Sequence, residues 1–587
     1  MKTPMPLLVL ALLLLAGCVA PGAQVAPAST PLTAGDLAAL AASLSPRLGE
    51  LDILHETLDV ETSHGLVNVD LYLPDVPEGT KLPLILVASP YNNPNSPLAL
   101  GAGGKSGEDE WISLPLYEWI RAELIPRGYA FAQMDILGTR NSGGCMGIMD
   151  ETERQATAQT IDALAAMPWS DGKVGMIGKS YLGLSQLGAA VEKPEALVTI
   201  VPIAPPTHDY AYHYYNGVPY AANHATNFLY YGAYSLPPPD GDLAAYAARY
   251  PERVPCSPEA MAGGFYTLGD YSERWQARDY RPLIPQIDPE LSVFFVAGHQ
   301  DWNVKPDHPV DVFHAIPGPK LMLVGQWGHD YPNINNVDEE RWGEREEWYL
   351  TLHRWFDHFL KGIDTGLLAE IAACPVQTQD YAGAWRCAES FPPQDASTLT
   401  LHPDVGGALG PEPGEGSAQM PDVETDVAAD MPSQASYRYE VAEATRIFGV
   451  PQLLTRVSTT SGWNAHVHAA LGVERDSGID EVTWGFQSLR HRDGLEAGNP
   501  FIPGDMYELS FGLYPIDLVL EPGDTLVLTL RGVNANAAAV LMLPNPQPGL
   551  LTFDLAETTL HLPLASIDDV FVPPAQGDVP AEYQQED

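Results

Sequence analysis

Residues 173–190 read Lys-Val-Gly-Met-Ile-Gly-Lys-Ser-Tyr-Leu-Gly-Leu-Ser-Gln-Leu-Gly-Ala-Ala. A short apolar run, Val174 to Ile177, meets Gly178, Lys179 and Ser180, and a helix-like pattern resumes at Tyr181. A strand that turns into a helix at a serine strains the backbone there, and small neighbours are needed because the chain passes close to itself. Outward from this turn the grammar repeats. "LPLILVASP", "GYAFAQMDILG" and "LVTIVPIAP" have strand length and apolar content, while "RQATAQTIDALAAM" places Ile161, Leu164 and Ala165 on one helical face. The alternation returns at "LSVFFVAG" and "KLMLVGQWG", followed by a helix through "WYLTLHRWFDHFLKG" that Gly362 should stop. Strands separated by helices predict a mainly parallel α/β sheet.

This pattern is interrupted between about 205 and 285 by a tyrosine- and proline-rich block, read as a helical cap inserted over the sheet. Beyond about 373 helical periodicity fades. "LTRVSTT", "NAHVHAALGVE", "MYELSFGLY" and "DTLVLTLRG" have strand character, punctuated by turns at Pro503-Gly504-Asp505 and Pro522-Gly523-Asp524. The predicted organisation is α/β, with a catalytic domain over 51–204 and 286–372, a helical cap over 205–285, an all-β jelly-roll sandwich over 373–574 and an acidic, disordered tail over 575–587.

The first fifty residues read as an address. Lys2 precedes an apolar run from Leu7 to Ala16, too short for the roughly 20 residues of a spanning helix but suited to a signal segment. It ends in Leu15-Ala16-Gly17-Cys18, which resembles a bacterial lipobox, so residues 1–18 are expected to be a lipoprotein signal peptide, with Cys18 lipidated and 19–50 a tether. A bacterial cell-envelope location, lipid-anchored or secreted, follows as an expectation. The formal charge of −46, from 30 basic and 76 acidic residues, argues against a nucleic-acid partner. Among the remaining cysteines, Cys374 and Cys387 would face each other across a hairpin, and Cys145 with Cys256 follows by elimination. Neither CxxC nor HExxH spacing occurs, so no metal is expected and no cofactor is called for. "ALGAGGKSG" imitates a phosphate loop but has Ala99 where glycine is required.

In a nucleophile elbow the strand-to-helix turn lifts a serine hydroxyl above the sheet, and acid and histidine follow at the ends of later strands. Ser180 fits that context, although Leu182 stands where the usual pattern has glycine and Gly183 lies one further. "LSVFFVAG" leads into His299-Gln300-Asp301, and "KLMLVGQWG" into His329. Ser180, Asp301 and His329 are therefore the expected triad. His299 is a rival poorly placed to link acid and serine. The Tyr181 amide and the Tyr91 hydroxyl are the expected oxyanion donors. Asp209, Tyr210, Tyr214, Tyr215 and Trp302 are candidate substrate contacts, with Glu273 weighed beside Asp209 as a partner for a substrate ammonium; a packed cap core is the competing reading for the tyrosines.

With these residues in place, "SPY", "MDILGTRNSGGC", "WSDGKVGMIGKSYLG", "GHQDWNVK" and "GQWGH" resemble the Xaa-Pro dipeptidyl-peptidase and cocaine-esterase family of serine hydrolases, over about residues 55–365 and more weakly through the β region. The resemblance implies an α/β-hydrolase with a C-terminal jelly roll, the triad Ser180, Asp301 and His329, and Tyr91 completing the oxyanion hole. "GKSYLG" and "DWNVK" look closer to the peptidase branch, while Asp209 stands where that branch usually has tryptophan. The expected activity is acyl transfer to Ser180 from a small peptide, with dipeptide release; an ester or acyl-amide hydrolase is the alternative, and a non-catalytic surface binding protein a remote one.

Overall fold

The computed structural model describes residues 33–92, 114–220, 226, 243–253, 269–333, 342, 344–394, 396–422, 432–532, 545–574 and 578–584. The signal segment with Cys18, the "ALGAGGKSG" loop, Cys256 and parts of the expected cap lie outside them.

The α/β part is built on one eleven-stranded sheet. In chain order its first strands are β1 (Ile53–Thr62), β2 (Gly65–Pro74), β3 (Leu82–Ser89), β4 (Ala130–Asp135), β5 (Ser170–Lys179) and β6 (Leu197–Ile203). A short hairpin of β7 (Tyr214–Tyr215) and β8 (Val218–Pro219) stands apart, and β9 (Ser292–Gly298), β10 (Lys320–Gly325), β11 (Val376–Gln379) and β12 (Trp385–Ala388) complete the series. The spatial order is β1-β2-β4-β3-β5-β6-β9-β10-β11-β12, with Val570–Phe571 at the last edge. All pairings from β4 through β3 to β11 are parallel. Parallel strands need both faces covered, which explains why β3 and β9 are buried at every position. Helices Glu151–Ala165, Tyr181–Glu192 and Trp348–Lys361 supply cover, the last closed by Gly362 at φ 69°. The first pair, β1 with β2, is antiparallel and extends the sheet at its edge.

Beyond it, strands Gln434–Glu440, Thr525–Gly532, His466–Arg475 and Gly478–Ser488 form a four-stranded sheet that packs on an eight-stranded one centred on Leu550–Ala565. Alternation puts Leu526, Leu528 and Leu530 inside with Leu453, Val457 and Phe553. Cys374 and Cys387 are joined in a disulfide, their Cα atoms 5.3 Å apart across the β11–β12 end of the first sheet. Cys145 is also in a disulfide.

Three expectations need correction. The α/β sheet does not end at 372: β11 pairs in parallel with β10, and β12 pairs with Val570–Phe571. The expected tether is docked from Thr33 onward. Ala34–Ser43 is a helix with a Thr33–Asp36 capping box, and Leu37 is buried. The Ser45 amide and hydroxyl donate to Asp357 at 2.6 and 2.7 Å, and the Tyr129 hydroxyl joins them at 2.6 Å. Burial would raise this carboxyl, but His353, Ser45 and Tyr129 hold it down to about 2. The tail likewise packs: Val579 and Tyr583 are buried, and the Tyr583 hydroxyl lies 2.8 Å from His353 Nδ1. Residues 45 and 583 thus meet the same helix, contacts invisible to a local reading.

Tyr583→Ala should cost about 3 kcal/mol and Tyr583→Phe about 1 kcal/mol, measured by urea unfolding.

Candidate active site

Ser180 follows β5 and opens the helix Tyr181–Glu192 with φ 63° and ψ −123°. Such a conformation costs a non-glycine residue about 1–3 kcal/mol. Its surroundings hold it there. The Ser180 amide donates to the Ile203 carbonyl at 2.8 Å, and the Ser180 carbonyl accepts from Gly183 and Leu184. A Cβ on Gly178 would lie 2.4 Å from that of Leu182, and one on Gly183 would meet the Ile203 oxygen at 3.0 Å. The glycine three residues after the serine is therefore the one that lets the helix approach β6, while Leu182 turns into the core.

Asp301 follows β9 and His329 follows β10, so acid, imidazole and serine all sit at the C-terminal edge of the sheet. His329 Nδ1 is 2.7 Å from Asp301 Oδ2. A carboxylate only accepts, so Nδ1 carries the proton and Nε2 is left for other work. The other Asp301 oxygen accepts the amides of Asn303 and Val304 at 2.9 Å, which fixes the buried carboxylate. His299 is elsewhere: its Nε2 lies 3.1 Å from the Thr378 hydroxyl, and burial pushes its ring down to about 4.

Lys179, the residue before the serine, is buried. Its ammonium donates to the His329 carbonyl at 3.3 Å and to Asp330 at 3.0 Å, and lies 4.8 Å from the Tyr331 ring centre. Tyr91 rests edge-on to Tyr181, ring centres 6.4 Å apart, and the Tyr91 amide donates to Ser89 Oγ at 2.9 Å. Behind Tyr181 the phenol donates at 2.8 Å to Glu153, a buried carboxyl. Burial first, then the charge of Asp150, pushes Glu153 up to about 8 against the Tyr181 bond. Sequence reasoning passed over both Lys179 and Glu153. Lys179 adjoins the serine and was open to suspicion on that ground; Glu153, an acid in a helix's first turn, looks like any exposed residue.

A small cavity beside Ser180 is lined by Met149, Tyr181, Leu184, Asp209 and Tyr212 among others. A larger one of about 380 Å³, bordered by Leu37, Trp348, Ile371 and Phe571, contains none of the triad candidates, so size does not choose the site. Asp209 is buried 3.3 Å from His213. Burial alone would raise its carboxyl, but His213, Arg278 and Arg274 together hold it below the usual range. An ionised carboxylate therefore borders the serine cavity. The other proposed substrate contacts do not. Tyr210 and Tyr214 pack with Trp275 in the cap core, the Tyr210 hydroxyl on the Gly269 carbonyl. Tyr215 donates to the Gly512 carbonyl, and Trp302 packs against Trp484 with tilted rings whose centres are 4.2 Å apart, so both belong to the seam with the β-sandwich. Tyr212 takes their place: its hydroxyl reaches Asn303 at 2.8 Å, and Lys305 lies under its ring. Lys305 is itself buried, 3.7 Å from the Tyr220 ring centre; burial brings its ammonium down to about 7 against the charges of Asp307 and Asp301.

Loop residues 135–142 support the edge. Asp135 accepts from Asn92 at 2.9 Å, Ser142 Oγ donates to the Asp135 carbonyl at 2.7 Å, and Arg140 pairs with Asp70 at 2.6 Å. No group of three or more metal-ligating side chains is found among the described residues.

Glu153 gives the site a pH signature. Its carboxyl is higher in the folded chain than its usual 4.5, so the stability it contributes is full below about 4.5 and is lost as pH rises through about 8. Glu153→Gln removes that loss. Unfolding titrations at pH 5 and pH 9 should show the variant gaining about 2–4 kcal/mol on the parent over this interval.

Known proteins resemble this chain in sequence and in fold. The model of the X-Pro dipeptidyl-peptidase (S15 family) matches residues 65–331, and that of the X-Pro dipeptidyl-peptidase C-terminal non-catalytic domain matches 372–566. A Streptomyces avermitilis protein provisionally named Xaa-Pro dipeptidyl-peptidase is 28% identical over 570 residues, covering 83% of this chain and 78% of its own. Among solved structures, a CocE/NonD family hydrolase from Staphylococcus aureus superposes with a TM-score of 0.67 at 16% identity, over 88% of this chain and 97% of that one. An α-amino acid ester hydrolase gives 0.66 at 15%, over 94% and 100%. The two structures share the fold; the two sequence models together span most of the chain, an X-Pro dipeptidyl-peptidase (S15 family) domain followed by that family's C-terminal domain, and with the relative they indicate a serine hydrolase.

Proposed function

We propose that this enzyme cleaves peptides with a free N-terminus, releasing a dipeptide through an acyl-enzyme on Ser180. The observation that carries this reading is the buried, ionised Asp209 bordering the same cavity as Ser180, placed to receive an α-ammonium. His329, its Nδ1 committed to Asp301, takes the Ser180 proton at Nε2 as the hydroxyl attacks the scissile carbonyl. The Tyr181 amide and Tyr91 hydroxyl receive the developing oxyanion. The proton passes to the leaving amine, and water, deprotonated by the same imidazole, releases the dipeptide and restores Ser180. Relatives named Xaa-Pro dipeptidyl-peptidase support the peptide reading. The name of the α-amino acid ester hydrolase supports a second one, an ester substrate on the same machinery.

A panel of Gly-Pro, N-acetyl-Gly-Pro and short-chain ester chromogenic substrates separates the two. The free-amine peptide should be hydrolysed and its acetylated form should not. Asp209→Asn should raise KM for the free amine about 10- to 100-fold, the loss of one charged hydrogen bond. Indifference to N-acetylation and to Asp209→Asn would leave the ester reading. Ser180→Ala should abolish both turnover and fluorophosphonate labelling.

The leader supports export with lipid attachment at Cys18 as part of the same proposal. Metabolic labelling with palmitate should mark the parent chain and be lost in Cys18→Ala.

A further inference from the structure

The triad reading leaves one link without an anchor of its own. Asp301 holds His329 through a 2.7 Å bond, but nothing in that bond sets where the imidazole stands relative to Ser180. The two groups arise from different strands. β6 and β9 separate β5 from β10 in the sheet, so the strand axes lie about 14 Å apart, and the serine and histidine turns must each lean across that gap. Small relative movements of the two turns would open the Ser–His distance while leaving His–Asp intact.

Lys179 spans the same gap. Its backbone is the last of β5, one bond from the strained Ser180, and its buried ammonium ends on the His329 carbonyl and the Asp330 carboxylate. The Tyr331 ring flanks it at 4.8 Å. The side chain therefore meets three consecutive residues of the histidine turn. An ammonium that is itself buried is costly to strand, so the contact resists separation of the two turns from both ends.

We infer that Lys179 is a positioning residue which sets the distance between the Ser180 hydroxyl and the His329 imidazole by tying the histidine turn to the serine elbow. The inference rests on the Ser180–Asp301–His329 reading above, and it concerns the chemical step alone, since Lys179 is not among the residues bordering the Ser180 cavity.

The test uses the full chain with Gly-Pro and ester substrates, and fluorophosphonate labelling where turnover is slow. Lys179→Met keeps the stem and removes the donor. It should lower kcat about 10- to 100-fold, the effect of a misplacement near 1 Å, with KM within about threefold on whichever substrate is used. Lys179→Arg, which restores a donor, should recover kcat to within about fivefold of the parent. The double variant Lys179→Met/Asp330→Asn removes the carboxylate that loses its ammonium in the single change. It should regain any lost thermal stability but not kcat. A Lys179→Met enzyme within twofold of the parent would overturn the inference, as would recovery of kcat in the double variant, because the defect would then be the uncompensated charge of Asp330. Retention of turnover by Ser180→Ala would instead overturn the triad reading itself, so the two failures are told apart.

Discussion

The close approach of the helix Tyr181–Glu192 to the end of β6 is the constraint around which the catalytic edge is arranged. Ser180 can hold a positive φ only because its amide is bonded to Ile203 and because Gly178 and Gly183 leave room for the backbone to pass. The strain is local, and the structure opposing it is extensive: a strand buried along its inner half, the Glu153–Tyr181 bond behind the turn and the Lys179 contact in front of it. A serine held this way is already turned out of the strand before substrate arrives, so little reorganisation remains for the chemical step.

Much of this was legible because the physics is local. Apolar runs of strand length bounded by glycine or proline gave β3, β4, β6, β9 and β10, and the Gly-flanked serine gave the elbow. Even the departure from the usual spacing has a local cause, since Gly183 is the residue that faces the Ile203 carbonyl. The illegible parts depend on contacts distant in sequence. Ser45 and Tyr583 meet Asp357 and His353 across 312 and 230 positions, and no periodicity announces them. The tyrosine block shows the same limit at short range. Composition could suggest a pocket but not which rings line it; the short helix Asp209–His213 and the extended residue that follows it send Tyr210 and Tyr214 inward toward Trp275 and leave Tyr212 at the cavity.

The β-sandwich is more than an appended module. Trp302, one residue after the catalytic-acid candidate, packs against Trp484, and Tyr215 and Tyr220 pack against Tyr514. The Tyr220 and Tyr514 hydroxyls are also bonded to each other. These rings join the acid turn, the cap hairpin and the four-stranded sheet in one apolar cluster. Rigid aromatic contacts of this kind limit how far Asp301 and Tyr212 can move independently. The sandwich thereby takes part in shaping the site without contributing a residue to the triad.

Of two buried charges near the site, Asp209 borders the Ser180 cavity and Lys305 lies behind Tyr212, and they are handled differently. Asp209 keeps its negative charge because His213, Arg278 and Arg274 outweigh desolvation. Lys305 is held among Tyr212 and Tyr220 rings, and burial draws its ammonium down to about 7 despite Asp307 and Asp301. Losing that proton would weaken the cation–ring contact under Tyr212, while Asp209, on the other side of the same tyrosine in the sequence, would stay charged. On the peptidase reading proposed above, a substrate ammonium entering beside Asp209 would meet a negative partner, whereas the Tyr212 ring that helps wall the cavity rests on a charge sensitive to pH near neutrality. In that proposal, recognition of the ammonium and placement of the wall are assigned to separate groups, Asp209 and Lys305, so one can change with pH while the other does not.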